Sequence, residues 1–349
     1  MKNNQIFNMI ASLEATGKAP ENSVISSVQN SKKDKALYNS APVGYEQTID
    51  TLTYIKQEVI KQKFYEENPG DFIPVKVGEG SFSSEFLYYT NFELSDDFES
   101  GIMGQGTGTR RSKLDVGYDA VRLTPYFWSK EIDYSLVEIN QAAKNIGSAI
   151  SLITQREEAG KRNWDLGIQK VSKLGSSNVS GVEGLYNLTG VTNNLVTITK
   201  AISSMTPAEI QSVVKDMMNA YWTNNNKTAK PDTLNIPTSD YFGLSEFIDA
   251  TGIYKSKGDY LLEAFKFATG NPNFKILPSQ YADSADNGLG VNRYTLYRND
   301  PQTLEMNIPI DYTTTTFGTI NNFDFNSVAY GQFTGVIAKR PKEILYFSY

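Results

Sequence analysis

The sequence predicts an α+β fold, and three observations predict it. Apolar residues recur at helical spacing along Ser135–Leu174, alternating runs occupy 72–77 and 114–132, and from about residue 195 short strand-like runs alternate with compact helices. The starts of those helices carry capping residues. The composition is that of a folded chain, with 349 residues, 40% hydrophobic and 21% charged, enough for one large domain or two ordinary ones.

Residues 1–47 are rich in Asn, Ser and Lys, with small apolar clusters such as Ile6, Phe7, Met9 and Ile10, and read as an arm rather than a domain. Two readings stay open for it: a disordered terminus, or a segment that orders by lying on a neighbouring subunit. In 48–71, Ile49, Leu52, Ile55, Val59 and Ile60 fall at steps of three and four, predicting a short amphipathic helix to Glu67 with Asn68-Pro69-Gly70 as its breaker. Residues 72–130 read as an extended excursion with a glycine-rich tip at Gly101–Gly108 and a return leg alternating at Leu114, Val116, Tyr118 and Ala120. A two-stranded ribbon is at best marginal in water, so this excursion needs another surface, on the same chain or on another copy.

Residues 131–194 hold the strongest periodic element. Ile139, Ala142, Ile146, Ile150, Ile153, Trp164, Ile168 and Val171 predict one long helix over Ser135–Leu174, with Gly160 as a weak point. A continuous helix there spans about 60 Å. Its polar face carries Glu138, Arg156, Glu157, Glu158, Lys161 and Arg162, and Gly184-Leu185-Tyr186-Asn187 opens a polar loop after it. Within 195–308, Thr206-Pro207-Ala208-Glu209 is a capping box with proline at the first helical position. A strand at 232–236, helices at 239–250 and 259–269, the latter closed by Gly270, and strands near Phe274, Arg293 and Thr303 follow. Residues 309–349 are strand-like, and the apolar run Ile344–Phe347 is expected to pack back on the body beside the long helix.

The chain has no histidine and no cysteine, which excludes Ser-His-Asp and Cys-His catalysis, thiolate or imidazole metal sites and disulfides. Carboxylates adjacent in sequence, such as Asp96-Asp97 and Glu157-Glu158, point apart and give no glycosidase pair. Asp283, Asp286, Asn287 and Gly288 lack the spacing of a calcium loop and read as a polar turn. Gly101–Gly108 lacks the Gly-Lys-Ser/Thr ending of a phosphate loop. No catalytic residue, cofactor or metal is expected. The net charge of −6 argues against a general polyanion binder, the absence of a long apolar run argues against a membrane span, and the polar first twenty residues hold no secretory signal core. Asn178, Asn187 and Asn226 match the glycosylation pattern only by chance. The densest charge pattern lies around the excursion's tip, where Glu93, Asp96 and Asp97 on the outgoing leg stand opposite Arg110, Arg111 and Lys113. These six residues are candidates to pair with one another or to address an adjacent subunit.

The order of arm, short helix, glycine-tipped extended loop, long helix with Gly184-Leu185-Tyr186-Asn187, α+β unit and closing Gly335-Val336-Ile337-Ala338-Lys339-Arg340-Pro341 resembles the major capsid protein of tailed bacteriophages, a fold shared with encapsulin shells. The resemblance implies an N-terminal arm, an extended loop at 72–130, a peripheral domain with a spine helix at 131–194, an axial domain at 195–308 and a return to the peripheral domain at 309–349. It implies a non-enzymatic protein that self-assembles as hexamers and pentamers into an icosahedral shell around double-stranded DNA. The location implied is the virion capsid, assembled in the host cytoplasm. Portal and separate scaffolding or decoration proteins are the implied partners, with DNA held by weak non-specific contacts. Some members of the family carry a lysine-asparagine crosslink, for which Lys113 and Asn321, Asn322 or Asn326 are the residues available. The alternatives are an encapsulin-like cargo compartment and a surface or carbohydrate-binding module, which stays small in solution and saturates with ligand.

Overall fold

The computed structural model describes residues 63–95, 114–138, 140, 152–248, 255–316, 318–319 and 324–349, and residues 64–349 form one unit. Most of the expected helix at 48–67 lies outside the described residues, and 63–67 are not helical. Asn68-Pro69-Gly70, expected to stop a helix, instead starts one. The Asn68 side chain accepts from the Gly70 N–H and proline fills the first position of the single turn α1 (Pro69–Phe72), where its missing N–H costs nothing. β1 (Val75–Val77) then pairs in parallel with β9 (Leu304–Ile308). The excursion itself is narrower than 72–130. It comprises β2 (Phe86–Ser95) and β3 (Leu114–Leu123), while β4 (Tyr126–Ser135) turns back into the body and runs antiparallel to β12 (Asp324–Phe333) over ten residues.

The long helix is described as α2, Leu152–Leu174; the residues before it, Ile139, Ala142, Ile146 and Ile150 among them, lie outside the described set. Trp164 and Ile168 are buried as the stripe requires, and Arg156 pairs with Glu138 at 3.1 Å. Gly160 is a close-packed position, not a weak one: a Cβ there would meet the Tyr312 hydroxyl at 2.5 Å. Gly184-Leu185-Tyr186-Asn187 is buried at Leu185 and Tyr186, contrary to the polar loop expected, because it caps α2. The N–H groups of Leu185 and Tyr186 donate to the Ser172 and Lys173 carbonyls (2.9 Å each), and Asn187 Nδ2 donates to Leu174 O (2.8 Å). The unpaired carbonyls of a helix end thus find donors in the following loop.

Next come β5 (Thr192–Asn194), α3 (Pro207–Asn224) with its reciprocal Thr206–Glu209 capping box, β6 (Thr233–Pro237), α4 (Thr238–Gly243), α5 (Lys257–Thr269), β7 (Lys275–Ser279) and β8 (Arg293–Tyr297). The backbone and hydroxyl of Thr206, with Lys200, hold the Glu209 carboxyl down to about 2. The helix expected over 239–250 is only the short α4; Gly243 sits against Ser203, where any side chain would clash. α5 ends at Gly270 in the left-handed region (φ 69°), as expected.

The later strands include β10 (Ile310–Thr314), β11 (Gly318–Thr319) and β13 (Val336–Ala338). The apolar run of the last segment becomes β14 (Ile344–Ser348), which packs into the middle of a five-stranded sheet ordered β5-β14-β8-β6-β7 and not simply beside α2. Its alternate residues feed two cores. Leu345 and Phe347 join Ile210, Met217, Leu261 and Phe265 of α3 and α5, whereas Ile344 and Tyr346 join Trp164, Ile168, Leu185, Leu304 and Met306 on the other side. Gly331 of β12 leaves room for Trp164, which also meets Trp128 at 5.4 Å between ring centroids.

A buried ion pair fastens the first described segment. Lys173 is fully buried, 3.5 Å from Glu67, and Glu67 also accepts from the Ser279 hydroxyl (3.0 Å) and the Gln280 N–H (3.2 Å). Burial pushes the Lys173 ammonium well below its ordinary value, against the pull of Glu67. Glu67→Leu strands that charge and is expected to cost about 3–5 kcal/mol, with Glu67→Leu/Lys173→Met closer to the parent protein than Glu67→Leu alone in urea unfolding. A Cβ on Gly184 would collide with the Lys173–Gly175 backbone, whereas Gly167 in α2 has open space. Gly184→Ala is therefore expected to destabilise by about 1–3 kcal/mol and Gly167→Ala to stabilise by about 0.5–1 kcal/mol, read from the same unfolding curves.

Candidate assembly surfaces

Several ionisable side chains are buried within the body and tie its segments together. Burial pushes the Tyr186 and Tyr297 phenols well above their ordinary values, and Tyr297 donates to Phe72 O at 2.8 Å. Asp240 accepts from the N–H groups of Ile202 (3.0 Å) and Ser203 (2.8 Å) and from the Tyr294 hydroxyl. Asp283–Gly288 is a polar turn: Asp283 accepts from Ser239, Gln280 donates to Asp286 (3.0 Å) and Asn287 donates to Val291 O (2.7 Å). Among the described residues no group of three or more acidic side chains is placed to hold a metal ion, and no helix is long and apolar enough to cross a membrane.

What the body leaves exposed is more informative. β2 and β3 form a two-stranded ribbon of ten residue pairs, with no other strand beside it among the described residues. Opposed residues share a face, and the pairs Leu87↔Arg122, Tyr89↔Ala120, Asn91↔Tyr118 and Glu93↔Val116 place Leu87, Tyr89, Val116 and Tyr118 on the same one. Tyr89 and Tyr118 are 70% and 69% exposed, and Leu87, Val116 and Val121 are exposed as well. Ten residues at about 3.3 Å each carry the ribbon roughly 30 Å from its base. Large apolar side chains exposed on one face of both ribbon strands, interspersed with Asn91, Glu93 and Arg122, are of the kind found at protein-protein contacts.

The base, by contrast, is fastened. Glu305 is buried between Lys339 (2.7 Å) and Lys76 (3.4 Å). Burial pushes its carboxyl up, but Lys339, Tyr88 and Lys76 outweigh that and leave it below its ordinary value. Tyr88 of β2 stands in this cluster: its ring lies under Lys339 Nζ at 4.8 Å and its hydroxyl accepts from Asn307. Phe82, at φ 61°, is held by Gln332, which accepts from its N–H at 2.9 Å and donates to Ser83 O at 3.1 Å. The ribbon is thus gripped at its base, and beyond it the described side chains of both strands are largely exposed.

Of the six charged candidates, Glu93 lies in β2 opposite Val116; Asp96, Asp97, Arg110, Arg111 and Lys113 lie outside the described residues. Lys113, Asn321 and Asn322, considered for a crosslink, lie outside them too, while Asn326 is occupied in donating to Glu131 at 2.8 Å. Further exposed apolar side chains were not read from the sequence. Phe242, Phe247 and Phe267 are 70%, 64% and 93% exposed in the segment around α4 and α5, and Leu195 and Val196 stand exposed after β5. Their signal was an aromatic residue on the polar side of a predicted helix, as Phe267 is on α5.

Comparison with known proteins agrees with this geometry. A family model described as Major capsid protein matches residues 101–349. Among solved structures, the capsid of Myoviridae phage XM1 superposes with a TM-score of 0.69 at 17% identity, covering 86% of this chain and 97% of that one. A chain from Mycobacterium phage Bobi gives 0.56 at 10% identity, covering 86% and 97%, and one from Gordonia phage Cozz gives 0.53 at 14% identity, covering 89% and 95%. No match is found among curated protein sequences. With a family match over most of its length and the fold of phage capsid proteins, the chain belongs to the major capsid protein family and is a structural protein of the capsid.

Proposed function

We propose that this chain closes, as hexamers and pentamers, into an icosahedral shell around double-stranded DNA, with the ribbon of each copy laid over an adjacent subunit. The observation that carries the reading is the ribbon: ten residue pairs, fastened at the base and exposed along an apolar row. A patch on one copy that fits a different patch on the next makes a heterologous contact, which closes into rings when the rotation allows. Glu93, Asp96, Asp97, Arg110, Arg111 and Lys113 are the charged contacts that set its register on the neighbour.

In this reading residues 195–308, with exposed Phe242, Phe247 and Phe267, form the axial domain that meets its copies around the ring. Residues 131–194 with α2, and the return segment 309–349, form the peripheral domain, and residues 1–47 are an arm. The role is structural and not enzymatic. The shell belongs to the virion and assembles in the host cytoplasm, where the absence of cysteine suits a reducing environment. A portal and separate scaffolding or decoration proteins complete it, and a net charge of −6 keeps the contact with DNA weak and non-specific.

Deleting residues 95–112 tests this. Shortening a loop changes closure entropy by less than about 1 kcal/mol, so the subunit is expected to keep its unfolding midpoint. Closed particles, counted by electron microscopy and light scattering, are expected to disappear. Normal particles from the deletion would sink the proposal.

A further inference from the structure

A groove of about 360 Å³ lies between β7, an edge strand of the five-stranded sheet, and the segment formed by the end of α4 and the start of α5. Leu244, Leu262, Phe274, Ile276 and Leu277 line it. Leu244 and Phe274 are buried, Lys275 is exposed at the start of the strand, and exposed Phe247 is bridged to Ser256 on the rim. Among the described residues no strand pairs with the outer side of β7. A free strand edge beside an apolar groove is a surface that proteins ordinarily cover.

The opposite edge of the same sheet carries an apolar projection. Just after β5, Leu195 and Val196 are 63% and 83% exposed, in a stretch, Gly190–Thr199, that contains no charged residue. A loop made only for solvent seldom combines those two features. The pair is held in place: Asn194 Oδ1 accepts from the N–H groups of Val196 (2.9 Å) and Thr197 (3.0 Å), β5 is hydrogen-bonded to β14, and Ile198 is buried in the core under α3 and α5. Side chains fixed in advance lose little freedom when they bind. Because projection and groove lie on opposite edges of one sheet, copies that join one to the other do so head to tail, the arrangement that builds a ring.

We propose that Leu195 and Val196 of one copy insert into the groove between β7 and the α4–α5 segment of the next copy. This rests on the reading that copies form rings, and it identifies a contact that closes them. Two aliphatic side chains are of the size the groove admits, and their burial removes the largest exposed apolar surface at that edge of the sheet. The ribbon takes no part in this contact, so the two can fail separately.

The chain has no cysteine, so Val196→Cys/Lys275→Cys places the only two thiols, one beside the projection and one at the groove. With β14, β8 and β6 between them, β5 and β7 stand several strand spacings of about 4.8 Å apart, beyond the reach of a disulfide within one chain. The double variant is assembled, oxidised and run on a denaturing, non-reducing gel. A head-to-tail contact links every member of a ring, so the expected result is a ladder of covalent oligomers ending at pentamer and hexamer, with position 196 joined to position 275 in the tryptic peptides. Covalent dimers alone, 196-to-196 links, links within one chain, or particles without links overturn the proposal and leave the shell and ribbon readings standing. Leu195→Asp/Val196→Asp covers the case in which the double variant does not assemble. Both residues are exposed, so that protein is expected to keep its unfolding midpoint while the yield of rings and particles falls about tenfold or more. Normal yield from it overturns the proposal. If the parent chain forms neither rings nor particles, the shell reading and this contact fail together.

Discussion

Burial of the β14 strand is the interaction on which the rest of the body depends. Ile344–Ser348 is buried at every residue, hydrogen-bonded to β5 on one side and β8 on the other. Because successive side chains on a strand point to opposite faces, Leu345 and Phe347 complete the core under α3 and α5 while Ile344 and Tyr346 complete the core under α2. Each such side chain contributes roughly 1.5–3 kcal/mol on burial. The same strand therefore couples the helix-rich segment of residues 195–308 to the long helix, and Tyr346 adds a direct tie by donating to Leu185 O at 2.7 Å in the loop that caps α2. The capping loop, the helix end and the last strand are one packed unit.

The ribbon is built on the opposite principle. Its backbone pairs are complete over ten positions, yet none of its described side chains joins either core. Two paired strands without a packed face are close to the limit of stability in water, so under the proposed function the adjacent subunit supplies the support the ribbon lacks among the described residues. The Glu305, Lys339, Lys76 and Tyr88 cluster fixes only where it leaves the body. A subunit with a rigid body and an extended element anchored at one end is suited to assembly, because covering the element stabilises the oligomer without being needed to fold the monomer.

Much of this was legible in the sequence. The Thr206–Glu209 capping box, the Gly270 stop of α5, the buried half-stripe of Trp164 and Ile168 and the alternation in β3 all appear as expected, because each is decided by neighbours within a few residues. What was not legible depended on distant partners. Gly160 looks like a helix weakness until Tyr312 is seen lying against it. Leu185 and Tyr186 sit in a stretch that reads as a turn and are buried only because α2 ends above them. Asn68-Pro69 serves equally well as a stop or a start signal, and the chain uses the start. For the assembly surface, alternation revealed the ribbon but not its boundaries, since β4 alternates just as well and is claimed by β12.

Amide hydrogen exchange, followed by mass spectrometry on the free subunit and on assembled particles, tests most directly the claim that the ribbon is supported by another copy. Exchange reports how readily each segment opens. In the free subunit, residues 86–95 and 114–123 are predicted to exchange far faster than 344–348, and in particles to slow by at least tenfold while 344–348 is unchanged. Protection of the ribbon in the free subunit equal to that of 344–348, with no gain on assembly, would contradict the account.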